Sequence, residues 1–318
     1  MQTFNKQYVL NNFLLLISAT FLLIVVTVWS YWPIVTELSR VWHNDDNYSA
    51  GQLVPMVAIF LVWHERKRLK ECPLIPYWRA GVIMLIVAET TRVAGLFLMR
   101  PSIERYALVL AITGLVLLVV GWQVFRRLLW ILIFLLFMVP LPSLVHTSIA
   151  APLQRLATVG SVFALEVSGV RVSRQGNTMV LNGNTSLGVV EACSGLRMLT
   201  AFIIVAAFLA YMVKRSRRQK VFLLLSSIPV ALLCNILRIV VTAVLMLHVS
   251  TEVAQKFFHD FAGLIMMPAA VMLMFGELWL MNKLTVSEPE PLRAYARARA
   301  KPAVKAAEKR INGIKQST

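Results

Sequence analysis

The sequence predicts an all-α polytopic membrane protein of about eight transmembrane helices, with a small extracytoplasmic insertion before the sixth. Three observations lead there. The chain of 318 residues is 58% hydrophobic and only 15% charged, and its mean hydropathy is +0.71. Soluble domains are nearer half apolar and a quarter charged, so a soluble fold would leave large apolar patches on its surface. The apolar residues fall into stretches near the roughly 17–25 residues that a bilayer core requires. The charges fall in short basic clusters between those stretches, as cytoplasmic loops do. The net charge of +17 therefore does not point to nucleic acid, and no zinc spacing or aromatic-interleaved basic patch does either.

The stretches are residues 9–32, 50–64, 80–99, 106–125, 128–145, 195–213, 221–248 and 261–282. The first ends in Trp29, Tyr31 and Trp32, an interfacial anchor rather than a cleavage site for a signal peptide. The second contains Pro55 and reads as a tilted or broken span. The fifth runs into Pro140-Leu141-Pro142. Basic clusters at 64–68, 126–127 and 214–220 and in the tail fall on one side of an eight-span count. The positive-inside rule then places both termini in the cytoplasm of a multi-pass inner-membrane protein. The loop 37–46 and the segment 143–192 face outside.

Within that outer segment, residues 152–168 carry apolar residues at helical spacing and read as an amphipathic helix along the membrane surface. Residues 170–190 mix valines with Gly and Asn. Asn182-Gly183 is a hairpin signal, so a small β-hairpin fits here. Residues 1–283 make the membrane domain. Residues 284–318 make a basic cytoplasmic tail suited to anionic lipid. There is no internal repeat. No HExxH, P-loop or GxGxxG motif is present, and the reading implies no metal or cofactor.

Ionisable groups inside spans are costly and mark functional sites. Cys193 sits where the outer segment enters the sixth span, between Glu191 and Arg197. A helix N-terminus there would favour thiolate, although a small buried cysteine needs no reactivity. Arg197 lies four residues on, at the spacing of one helix face, and can equally snorkel to the interface. Arg238 follows Asn235 in the seventh span, about ten residues from its outer end and so roughly 15 Å deep. It serves either a site or a structural pair with Glu191 or Asp260. His259 and Asp260 open the eighth span at the outer face. His146 and His248 are on the same side, with nothing to distinguish them. Cys72 and Cys234 read as inert. A thiol, an imidazole and a guanidinium from three successive spans thus share one layer, the minimum for a thiol nucleophile with a base and an oxyanion partner.

Ala192-Cys193-Ser194-Gly195-Leu196, then Pro229-Val230-Ala231 with Asn235 and Arg238, then His259-Asp260 with Gly263, resemble in order the exosortase/archaeosortase family. Pro140-x-Pro142 and Tyr48-Ser49-x-Gly51 are similar too, though Ala50 stands where members often carry His. The resemblance covers about residues 42–280. It implies a membrane cysteine protease or transpeptidase acting on exported proteins that bear a C-terminal sorting signal, in bacteria that export polysaccharide. It implies Cys193 as nucleophile, His259 as acid/base and Arg238 as the group holding substrate or intermediate. Glu191, Arg197, Asn235 and Asp260 support them. A transporter with a buried Arg ion pair, or a membrane acyltransferase using Cys193, are the rival readings.

Overall fold

The computed structural model describes residues 2–183, 185–188, 195–213, 215–249, 268–281 and 283, with side chains from residue 18 onward save 19, 46, 185, 187 and 188. The chain divides into two units, residues 1–274 and 275–318. In the second, residues 275–281 finish an apolar helix, α9 (Pro268–Met281), and Lys283 lies 5.2 Å from the Trp279 ring.

The first unit is a helical membrane assembly. α1 (Gln2–Asn44) leads into a 3-10 helix, Asp46–Gln52, whose first turn is capped by the Asp45 carboxylate accepting from the Asn47 N–H at 2.9 Å. α2 (Leu53–Lys70) is unbroken. Pro55 sits in its first turn, where a missing N–H removes no intrahelical bond, so the broken second span expected from the sequence does not occur. α3 (Trp78–Phe97) and α4 (Pro101–Val119) form a close antiparallel hairpin. A methyl at Gly81 would stand 2.7 Å from Leu118, and one at Gly95 would stand 2.6 Å from Glu104. Small residues let two backbones approach this far in a membrane.

α5 (Trp122–Phe134) has 13 residues and tightens into a second 3-10 helix, Leu135–Met138. Together they reach roughly 27 Å, at 1.5 and 2.0 Å per residue. The Pro140-x-Pro142 turn ends this element, and α6 (Ser143–Val167) starts directly after it. Residues 143–145 therefore belong to α6 rather than to the fifth span. The surface helix expected at 152–168 is the latter part of a 25-residue helix.

Among the described residues, five helices are long and apolar enough to cross a membrane: Thr20–Asn44, α3, α4, α6 and α8 (Arg217–His248). Four of them coincide with expected spans, whereas the fifth, α6, falls in the segment expected to lie outside the membrane; the other four expected spans correspond to α2 and to shorter helices. α2 carries Glu65, Arg66, Lys67, Arg68 and Lys70 in its last turns, and α5, α7 (Leu196–Met212) and α9 are short.

The insertion between α6 and α7 is a three-stranded antiparallel sheet in the order β1-β2-β3, one strand more than the expected hairpin. β1 (Val172–Gln175) turns into β2 (Thr178–Leu181) through Gly176-Asn177. Gly176 has φ 66°, the positive value that the first position of a tight hairpin loop favours. Asn182 (φ 50°) and Gly183 (φ 82°) then turn β2 into β3 (Thr185–Gly188), as their dipeptide predicts. Met179 and Leu181 alternate inward and are fully buried in a core with Ala157 and Leu165 of α6 and Ile239, Ala243 and Met246 of α8. The sheet thus rests on α6 and the final turns of α8.

Contacts sort the connections by end. Arg127 donates to the Arg68 carbonyl at 3.0 Å, joining two of the basic clusters. At the opposite end, Trp42 Nε1 donates to the Met138 carbonyl at 2.9 Å, and Thr200 Oγ1 lies 3.4 Å from the Asn47 carbonyl. There too Arg105 pairs with Glu37 at 2.8 Å. Segments 37–46, 100–105 and 138–146 and the start of α7 all lie at that end.

Candidate active site

The site is built where α7 begins. Gly195 is the residue before its first turn, with φ 61° and ψ −27°, a left-handed conformation that a side chain disfavours. A Cβ here would also stand 3.1 Å from Asn235 Nδ2. The helix therefore starts at Leu196, and Cys193 precedes it by more than one residue in sequence. The i,i+4 relation expected between Cys193 and Arg197 falls in part outside the described residues. Cys193, Glu191, His259 and Asp260 lie outside the described residues.

Asn235 faces Gly195 from α8. It is 2% exposed, and its Oδ1 accepts no hydrogen bond among the described residues. A buried acceptor without a donor costs about 1–3 kcal/mol, so this oxygen sits where a donor can be received. Arg238 lies one turn further along, half-buried beside the seam formed by Asn235, Ile239 and Thr242. Thr242 Oγ1 donates to the Arg238 carbonyl at 2.8 Å. Arg197 is half-buried in the first turn of α7, and its carbonyl accepts from Thr200 Oγ1 at 3.0 Å. The structure thus brings Asn235 against the start of α7, with Arg197 and Arg238 on the two helices that meet there.

α8 has 32 residues, about 48 Å, well beyond the roughly 30 Å of a bilayer core. Arg238 stands ten residues before the end of the helix at His248, roughly 15 Å along its axis. The excess length of α8 carries the sheet. A continuous apolar run concealed this overshoot in the sequence.

Two further groups gather at this end. Tyr48, in the first 3-10 helix, has its ring centroid 6.0 Å from that of His146 in α6. Burial, with the Asp45 carboxylate adding to it, pushes the Tyr48 phenol up to about 12. His146 is thus distinguished from His248, whose Nδ1 lies 2.9 Å from the Val244 carbonyl of its own helix. Gly51 is packed against the Trp42 indole, where a methyl would stand 2.8 Å from Nε1. The Tyr48–Gly51 stretch and the Pro140 turn, far apart in sequence, are therefore neighbours.

Sequence reasoning passed over two charged pairs in the spans. Arg105 is 8% exposed and paired with Glu37. Arg92 hydrogen-bonds Ser30, lies 3.6 Å from Glu89 and has its guanidinium 4.9 Å from the Tyr31 ring. Each was visible as an arginine within or beside an apolar stretch. Cys72 and Cys234 are free thiols, one buried and one half-buried. Cys72 Sγ stands 3.6 Å from the Arg68 carbonyl, at the basic end of the bundle.

Compared with known proteins, the chain matches the model of one family, the transmembrane exosortases, over residues 42–276. No curated protein and no solved structure matches it.

Proposed function

The chain belongs to the transmembrane exosortase family, and on that premise we propose that it is a membrane-embedded cysteine peptidase or transpeptidase. It cleaves C-terminal sorting signals of exported proteins at the outer face of the cell membrane. The observation that carries this reading is the apposition of Gly195 and Asn235. It ties the segment bearing Cys193 to the stretch of α8 that bears Arg238. Two residues of chain span at most about 7 Å, so Cys193 remains within reach of Asn235's surroundings.

In this mechanism the substrate's anchor helix lies beside the bundle, with its recognition motif just beyond the bilayer. A thiol of ordinary pKa near 8.5 is only a few per cent thiolate at pH 7, so His259 takes its proton. The Cys193 sulfur then attacks the scissile carbonyl carbon. Arg238 stabilises the resulting oxyanion. The C–N bond breaks as His259 returns the proton to the departing amine, leaving a thioester on Cys193. An amine acceptor or water attacks that thioester and regenerates the thiol. Glu191 and Asp260 orient His259, while Arg197 and Asn235 hold the entry to α7. The basic clusters and both termini face the cytoplasm, and the tail binds anionic lipid.

The test follows an exported host protein with a C-terminal anchor helix in cells carrying wild type, Cys193→Ala or Arg238→Ala. Both variants should be present in the membrane while precursor accumulates. Normal processing by Cys193→Ala would refute the thiol mechanism.

A further inference from the structure

A cavity of about 220 Å³ opens beside the start of α7. One wall is formed by Leu196, Leu199 and Ile203, successive turns of that helix. Phe137 and Leu141, from the second 3-10 helix and the proline turn, and Ile149 of α6 line it too. Tyr48, Asn47 and Thr200 add the polar groups. We propose that this cavity receives one apolar side chain of the substrate, beside the bond that is cleaved.

The inference rests on the thiol reading above and adds what the site selects. Leu196 follows Cys193 by three residues, so the pocket wall begins within one helical turn's length of sequence from the nucleophile. The size suits a single side chain. A buried apolar cavity of about 150 Å³ takes up benzene, whereas drug-sized ligands occupy at least about 300 Å³. A long acyl chain exceeds the space. The apolar walls exclude a charged side chain, and the Tyr48 phenol, held neutral through the physiological range, adds no charge of its own.

The test is a size-exchange experiment in cells of the native host. The probe is an exported host protein ending in an anchor helix and basic residues. Each of the ten positions before its anchor helix is changed in turn to Ala, Leu and Trp. Each form is followed with wild type, Ile203→Ala, Ile203→Phe, Ile149→Ala and Cys193→Ala, with membrane levels measured by immunoblot. At one position wild type should process Leu and reject Trp. Ile203→Ala should recover the Trp form by about 10-fold or more, and Ile203→Phe should restrict processing to Ala, the scale on which a pocket discriminates by size. Ile149→Ala, from another helix that lines the cavity, repeats the enlargement should Ile203→Ala fail to accumulate.

Profiles identical to wild type at every position would overturn the proposal. So would an acyl lipid that purifies with wild type and is lost from Ile203→Phe while the profile stays unchanged. Cys193→Ala separates the two levels. If it is inactive while the profiles do not move, the pocket assignment alone fails. If it processes, the thiol reading fails and the pocket assignment with it.

Discussion

A methyl group on Gly195 would stand 3.1 Å from the Asn235 amide nitrogen. Gly195 is also left-handed, with φ 61°. Gly195→Ala therefore combines about 1–2 kcal/mol of backbone strain with a crowded contact. The variant should still insert, because no hydrophobic segment is altered. Its processing of an exported substrate should fall by tenfold or more at equal membrane abundance. Wild-type processing would show that the α7 entry tolerates movement.

Asn235 allows stability and function to be separated. Its buried Oδ1 lacks a donor among the described residues. Asn235→Leu removes that acceptor while keeping the branched outline at Cγ, and replacing an unsatisfied buried polar group by an apolar one of like shape is close to neutral for stability. The thermal midpoint of purified Asn235→Leu should stay level or rise, while processing falls steeply. Retained processing would show that the amide has no part in the reaction.

Glu37 and Arg105 differ in exposure: the arginine side chain is 10% exposed and the carboxylate side chain 44%. Glu37→Ala leaves a buried guanidinium without its carboxylate, whereas Glu37→Ala with Arg105→Met leaves no charge. The single variant should be the less stable of the two, by about 1–3 kcal/mol. Thermal unfolding in detergent measures the order, and the reverse order would mean that the pair contributes little.

Tyr48 supplies a pH prediction. Its phenol is pushed up to about 12 from the ordinary 10, so the native state favours the protonated form. The stability it contributes is complete below pH 10 and is lost as pH rises from about 10 to about 12. Tyr48→Phe should make unfolding less sensitive to pH across that window and change nothing between pH 6 and 9. An altered slope at neutral pH would contradict the assignment.

Cys72 and Cys234 stand apart from the proposed chemistry. The Cys72→Ala, Cys234→Ala double variant should process substrate normally, and labelling by a thiol reagent should then report Cys193 alone. Loss of processing at normal abundance would point to a role for one of the two.

Much of this was legible in the residues. The membrane class followed from the apolar content, the Asn182-Gly183 turn from the positive φ that the pair accepts, and the family resemblance from the order of its Cys, Asn-x-x-Arg and His blocks. The element boundaries from residue 122 to 167 were harder to read. One apolar run covered the end of α5, a 3-10 turn and the start of α6, because hydropathy does not register where backbone hydrogen bonding changes. The third strand was missed because Gly176-Asn177 is a weaker turn signal than Asn182-Gly183.

The sequence by itself determined the solvent in which this chain folds, since apolar content and charge placement act residue by residue. It also determined which residues are candidates for chemistry. Only the tertiary structure decided that Gly195 meets Asn235, that Tyr48 meets His146, and that Trp42 meets Met138. These depend on where helices stop and how closely they pack, through contacts among residues up to 153 positions apart in the chain. No local pattern encodes such contacts.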